Sequence, residues 1–205
     1  MARYRGSRGK LVRKFGENIF GSPKYDRILQ KRNYGPGDHG PGFRKKESDY
    51  AIHLKEKQKV RYMYGLMERQ FRNYFKKADK MKGVTGENLF QLLERRLDNV
   101  VYRMGFARTR NQALQMVNHG HIKVNDKKVN IPSYLIKPED VIEVKDKSKS
   151  KKMFIDAVEA REGSSAYDWL ETDLENLKGN FKYIPKREEI PVNVDDRLIV
   201  EYYSK

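Results

Sequence analysis

Apolar positions recur at helical spacing between residues 47 and 97. In "DYAIHLKEKQKVRYMY", Ser48 is the predicted N-cap and Gly65 is placed to end the helix. A second helix follows in "LMERQFRNYFKKADK", with Met67, Phe71, Tyr74 and Phe75 on one inward face. Its far side, like that of the helix before it, carries Lys55, Lys57, Lys59, Arg61, Arg69, Arg72, Lys76 and Lys77. "GENLFQLLERRL" gives a third helix that buries Leu89, Phe90, Leu93 and Leu97, and Asp98 opens a short one, "NVVYRM", closed by Gly105. Thr109 and Gln112 have the spacing of a capping box, so "RNQALQMVN" reads as a helix that turns Ala113, Met116 and Val117 inward and stops at Gly120. From His121 the period drops to two: "HIKVN", a turn at "DK", a return in "KVNI", then "DVIEV" after the Pro138-Glu139-Asp140 turn. "KDKSKSKK" (145–152) has no apolar residue and predicts an exposed loop. "AYDWLETDLENLKG" predicts an acidic helix with Trp169, Leu170, Leu174 and Leu177 as its stripe, and "NFKYIPKREEIPV" a short strand with turns. The ending "LIVEYY" fits a strand or a last helical turn, and its Ile199, Val200, Tyr202 and Tyr203 need an apolar partner.

The first 46 residues differ. Leu11, Val12, Phe15, Ile19 and Phe20 make only a short pattern, and "NYGPGDHGPG" is too rich in glycine and proline for helix or strand. Such a segment buries too little to offset its backbone entropy, which predicts an extended arm that orders on RNA, with Tyr34, His39 and Phe43 available for stacking. The expected class is α+β: a mainly helical domain, an inserted small α/β module of two helices on a short antiparallel sheet, and an extended basic arm. The expected limits are 1–46 for the arm, 47–93 for the helical domain, with 195–205 as a candidate to complete it, and 94–194 for the α/β module with its acidic helix.

Charge narrows the function. Lys and Arg number 44 against 28 acids, a net +16. Residues 1–46 hold 13 basic and 3 acidic residues, and residues 47–155 hold 24 and 13. Residues 156–205 reverse the sign with 7 and 12. Three quarters of the chain therefore calls for a polyanion, and the last quarter for folding or a protein partner. With no cysteine, disulfides, thiolate zinc sites and cysteine catalysis are excluded. "MARYRGSRGK" leads into no apolar segment, and no run nears the roughly 20 residues a membrane helix needs, so an intracellular soluble protein with no membrane contact is expected.

Enzyme chemistry finds no foothold. The histidines are His39, His53, His119 and His121; the last two have neither cysteine nor a carboxylate motif beside them, so no metal and no cofactor is expected. There is no Gly-x-Ser-x-Gly elbow, Walker loop or dinucleotide loop, and Glu188-Glu189 reads as an exposed pair. A binding surface remains. Arg110 lies in the first turn of the capped helix, where backbone N–H groups and the dipole favour phosphate. Arg95, Arg96, Arg103 and Arg108 precede it; Lys123, Lys127 and Lys128 follow on the hairpin; His119 and His121 sit between, suited either to phosphate, sugar or base or to bonding with the local backbone. The arm adds Arg3, Arg5, Arg8, Lys10, Arg13, Lys14, Tyr34, His39, Arg44, Lys45 and Lys46, and the helical domain adds Lys57, Arg61, Arg69 and Arg72. Charge spread over an arm, helices and a small α/β unit fits structured RNA better than duplex DNA. Binding is expected to be salt-dependent and to fall on charge reversal of Arg96, Arg108 and Arg110.

Residues 95–144, "RRLDNVVYRMGFARTRNQALQMVNHGHIKVNDKKVNIPSYLIKPEDVIEV", resemble the RNA-binding module of the small-subunit ribosomal protein four family. That module also occurs in pseudouridine synthases, heat-shock proteins and tRNA synthetases. "ARYRGSRGKLVRKFG", "NYGPGDHGPG", "KEKQKVRYMYGLMERQFRNYF" and "RLIVEYYSK" carry the resemblance nearly end to end, in its bacterial or organellar form. It implies a non-enzymatic, structural protein of the small ribosomal subunit, in the cytoplasm or an organelle. Such a protein is a primary rRNA binder that nucleates assembly of the subunit body at a helix junction in the 5′ domain and contributes to translational accuracy. The implied partners are that rRNA, ribosomal protein five of the small subunit, mRNA near the entry path and, in many bacterial members, the mRNA of the protein's own operon. An RNA-modifying enzyme or a translational repressor built on the same module is the alternative; an enzyme lacks room for a catalytic domain after residue 150. Two departures stand out. Many relatives hold zinc on four N-terminal cysteines that this chain lacks, and relatives often have arginine where Leu114 stands.

Overall fold

The computed structural model describes residues 4–42, 46–160 and 167–204. In chain order its helices are α1 (Arg8–Phe15), α2 (Pro23–Lys31), α3 (Asp49–Met63), α4 (Glu68–Asp79), α5 (Thr85–Glu94), α6 (Leu97–Arg103), α7 (Arg110–Asn118), α8 (Asp146–Lys149), α9 (Lys152–Glu159) and α10 (Asp196–Ser204). Its strands are β1 (Ile122–Val124), β2 (Lys127–Lys128), β3 (Asp140–Val144), β4 (Leu170–Asp173) and β5 (Lys178–Phe181). The class is α+β, and the chain divides into two units: Met1–Lys80 with Val192–Lys205, and Met81–Pro191.

The division falls before α5, where 93/94 was expected. Asn88 on α5 donates to the carbonyl of Lys82 (3.2 Å), and Arg187 of a short 3-10 turn lies over the Phe90 ring at 4.4 Å, which ties α5 to the second unit.

In the first unit Ser48 caps α3, accepting from Ala51 N at 3.3 Å, and Gly65 adopts φ 68° just beyond the helix. The ending forms a helix, α10, because Ile199 can then join the core while Glu201 meets His53 on α3 at 2.8 Å and Tyr203 stacks on Phe75 at 4.6 Å. Residues 4–42 are not extended throughout. They contain α1 and α2 and bury Leu11, Val12 and Ile19. Glu17 pairs with Lys59 at 2.5 Å, and Lys59 also donates to Asn193 O at 2.6 Å. The short apolar pattern there suffices because α3 supplies its polar partners.

In the second unit the antiparallel sheet runs β2-β1-β3-β5-β4. Asn125 and Asp126, at φ 48° and 63°, make the tight turn between β1 and β2, one residue ahead of the expected "DK". Leu97, Phe106, Met116, Ile122, Ile142, Phe154, Trp169 and Phe181 share one core. Each such side chain contributes roughly 1.5–3 kcal/mol by leaving water.

Two expectations fail here. The acidic segment 167–181 is a β-hairpin and not a helix. Its apolar spacing suits a helix, but Asp173 accepts from Asn176 N (3.0 Å) and Asn176 Nδ2 (2.6 Å), closing a turn, and Gly179 lets β5 lie close against Glu171 O and Met104. Pairing of β5 with β3 then overrides the local pattern. Segment 145–152 is not an exposed loop either: α8 forms within it, Ser148 is buried, and α9 begins at Lys152 and buries Phe154 and Ala157.

Candidate nucleic-acid interface

The predicted cations separate by what already holds them. In the second unit Arg96 is buried and gives two hydrogen bonds to Asp98, at 3.0 and 2.6 Å. Burial pushes the Asp98 carboxyl up, against the opposing pull of Arg96 and of Asn99 N–H. Arg103 is buried as well, gripping Glu94 at 3.0 and 2.7 Å and Tyr167 Oη at 2.8 Å. Both were expected on the RNA surface. Both are instead structural charges, because α5 and α6 bring Glu94 and Asp98 inside the unit and each needs a partner. Arg95, half-buried, donates to Ile136 O at 2.8 Å. Arg110 donates to Asn99 Oδ1 at 2.8 Å and lies 4.5 Å over the Tyr102 ring. These bonds hold part of each guanidinium against the unit.

The exposed cations are arranged around the turn from α7 into the hairpin. Thr109 caps α7, accepting from Gln112 N at 3.2 Å, while Gln112 Oε1 accepts from Arg108 N at 2.9 Å, one residue upstream of the expected reciprocal bond. Arg108 is exposed and donates its Nε to Asp156 O at 2.7 Å. Leu114 sits half-buried on the same helix. His119 is exposed, and Gly120 takes φ 68° so that the chain can leave α7 for β1. His121 Nδ1 lies 2.9 Å from Ser148 Oγ, and the ring meets Phe154 edge-on. Burial, then Lys151, His119 and Lys145, push the His121 imidazole down. Lys123 is tied to Glu143 at 2.9 Å; Lys127 and Lys128 are exposed on β2. Lys145 and Lys151 also face this cluster. In the sequence these two lysines lie in a stretch without apolar residues that predicts a loop, marked by nothing but lysine alternating with serine and aspartate.

In the first unit Lys57 and Arg61, expected on the RNA surface, are buried: Lys57 donates to Glu68 at 2.8 Å and Arg61 to Gln58 at 2.6 Å. Burial raises the Glu68 carboxyl, but Lys57, Tyr203 and Arg61 outweigh it and leave it low. Tyr203, donating to Glu68 at 2.9 Å, is pushed well up by burial. Arg13 is occupied by Tyr34 O (3.1 Å), Gly35 O (2.8 Å) and the Tyr34 ring, so it pins the glycine-proline segment to α1. Arg8 lies over Phe20. Arg5, Lys10, Lys14, His39, Lys46, Arg69 and Arg72 are exposed or nearly so. Arg3, Arg44 and Lys45, with Phe43, lie outside the described residues.

Among the described residues no group of three His, Asp or Glu side chains could hold a metal ion, and no helix is long and apolar enough to cross a membrane.

Residues 3–94 match the ribosomal protein S4/S9 N-terminal domain, and residues 95–142 match the S4 domain. Over 205 residues, the whole of both chains, the sequence is 54% identical to small ribosomal subunit protein uS4 of Salinibacter ruber and 52% identical to that of Parabacteroides distasonis. It is 51% identical over 209 residues, again the whole of both chains, to the protein of that name from Thermodesulfovibrio yellowstonii. These relatives are ribosomal proteins, not enzymes, and the chain belongs to the uS4 family of the small ribosomal subunit.

Proposed function

We propose that the chain is a structural, rRNA-binding constituent of the small ribosomal subunit, and that the exposed cations of its second unit dock on phosphodiesters of a folded helix junction in the 5′ domain. The observation that carries this is the face around α7 and β2. Arg108, just ahead of the α7 cap, and Lys127 and Lys128 on β2 stand exposed there, and none has an acidic side chain within ion-pair distance among the described residues. Phosphate contacts of this kind supply affinity and register, and the shape of the junction supplies specificity. Full-length identity to relatives named as uS4 supports the ribosomal setting.

Within that reading, early binding of this junction lets the chain nucleate assembly of the subunit body. The exposed cations of the first unit face further rRNA or mRNA near the entry path, contacts with ribosomal protein five complete the site, and translational accuracy depends on them. Co-sedimentation tests the ribosomal assignment. The tagged chain should travel with small subunits through a high-salt gradient, and recovery only in the free fraction would contradict it.

A further inference from the structure

We infer that the RNA-binding surface of the second unit continues past β3, where Lys145 and Lys151 join Lys128 around His121 to form a phosphodiester-binding cluster. This rests on the rRNA-binding reading above. Lys145 and Lys151 lie beyond the S4-domain match, which covers residues 95–142.

The cluster is built by backbone pairing. Ile122 pairs with Val144, and Lys145 N donates to His121 O at 2.9 Å, so Lys145 is fixed beside the histidine. Lys123 pairs with Lys128 across the hairpin, and the Lys128 stem runs over Gly120, into space that a Cβ there would occupy. Ser148 N donates to Lys145 O at 2.7 Å and Lys151 N to Ser148 O at 3.1 Å. These two turns bring Lys151 back toward His121, whose Nδ1 is held by the buried Ser148 hydroxyl.

Two of the neighbouring acids are already engaged: Glu143 by Lys123 and Asp146 by Lys149, each at 2.9 Å, while Asp126 acts on Lys123. No ion pair reaches Lys128, Lys145 or Lys151 among the described residues. Burial, then Lys128 and Lys123, push the Lys145 ammonium down, and His121 is held down by burial, then by Lys151, His119 and Lys145. Lys128, Lys145 and Lys151 are therefore held together with no acid paired to any of them among the described residues, an arrangement that an anion relieves. A phosphodiester is the anion of choice because the cluster is continuous with the exposed Lys127 and His119.

The test uses the full chain, a 5′-domain fragment of small-subunit rRNA, and two double variants, Lys145→Gln/Lys151→Gln and Lys145→Arg/Lys151→Arg. The glutamine variant should bind several-fold more weakly, with a slope of log affinity against log salt shallower by about 0.9 per lost contact. Its thermal midpoint should equal or exceed that of the parent, since repulsion is removed, and the arginine variant should keep the parent slope. A glutamine variant that binds like a binding-competent parent overturns this inference alone. So does a weakened glutamine variant whose midpoint falls and whose arginine counterpart is no better. A parent that fails to bind the fragment overturns the underlying reading and this inference with it.

Discussion

Arg103 and Glu94 form a closed pair inside the second unit, Nη2 to Oε1 at 2.7 Å and Nε to Oε2 at 3.0 Å, with both side chains removed from solvent. Asn99 Nδ2 adds a third bond to Glu94 at 2.7 Å. An arginine that the charge pattern assigns to RNA thus neutralises a carboxylate that α5 carries into the core. Glu94→Ala, which strands Arg103, should cost about 3–5 kcal/mol, read from denaturant midpoints. Arg108→Ala, at an exposed side chain, should stay within about 0.5 kcal/mol of the parent.

Gly120 joins α7 to β1 at φ 68°, with the Lys128 side chain over its bare Cα. Gly120→Ala should lose roughly 1–2 kcal/mol from the left-handed backbone alone. It should also displace Lys128 and so weaken RNA binding. Thermal melting and RNA titration of the same variant check both effects; parental stability would contradict the strain argument.

His121 titrates below the usual histidine value of 6.5. Between its lowered folded value and about 6.5 the unfolded chain binds more protons, so stability rises with pH across that window. Conversely, stability is lost as pH falls below 6.5. Urea midpoints should therefore decline on acidification through this range, and His121→Gln should flatten the decline. An unchanged slope in that variant would count against the assignment.

Arg13 holds residues 34 and 35 through two carbonyls. Arg13→Ala should free the glycine-proline segment and speed protease cleavage between residues 33 and 42, while the melting of α3 and α4 is little altered. Cleavage at the parental rate would show that the segment is held by other contacts.

Much of this architecture was legible in the sequence because local rules and tertiary structure agree. Ser48, Gly65, Thr109 and Gly120 mark helix ends by their own chemistry, and the two-residue period from Ile122 gives strands. The hairpin at 170–181 was not legible, since Trp169, Leu170, Leu174 and Leu177 sit at spacings that serve a helix equally well, and only the pairing of β5 with β3 decides. For the proposed interface, the sequence offered charge but not geometry. Arg96 and Arg103 look like Arg108 in a string of letters, and whether each is offered to solvent depends on Asp98 and Glu94, which the fold brings beside them. For the same reason charge reversal at Arg96 would test folding instead of RNA contact.

The most direct measurement is the affinity of the chain for a 5′-domain rRNA fragment, titrated over a range of salt, with Arg108→Glu, Lys127→Glu and Lys128→Glu combined in one variant that leaves the buried pairs intact. The account predicts salt-dependent binding by the parent, with a variant that melts like the parent but binds at least tenfold more weakly, on the order of 1.4 kcal/mol or more, and shows a shallower salt slope. Equal affinity and equal slope for a folded variant would contradict the claim that this face meets RNA.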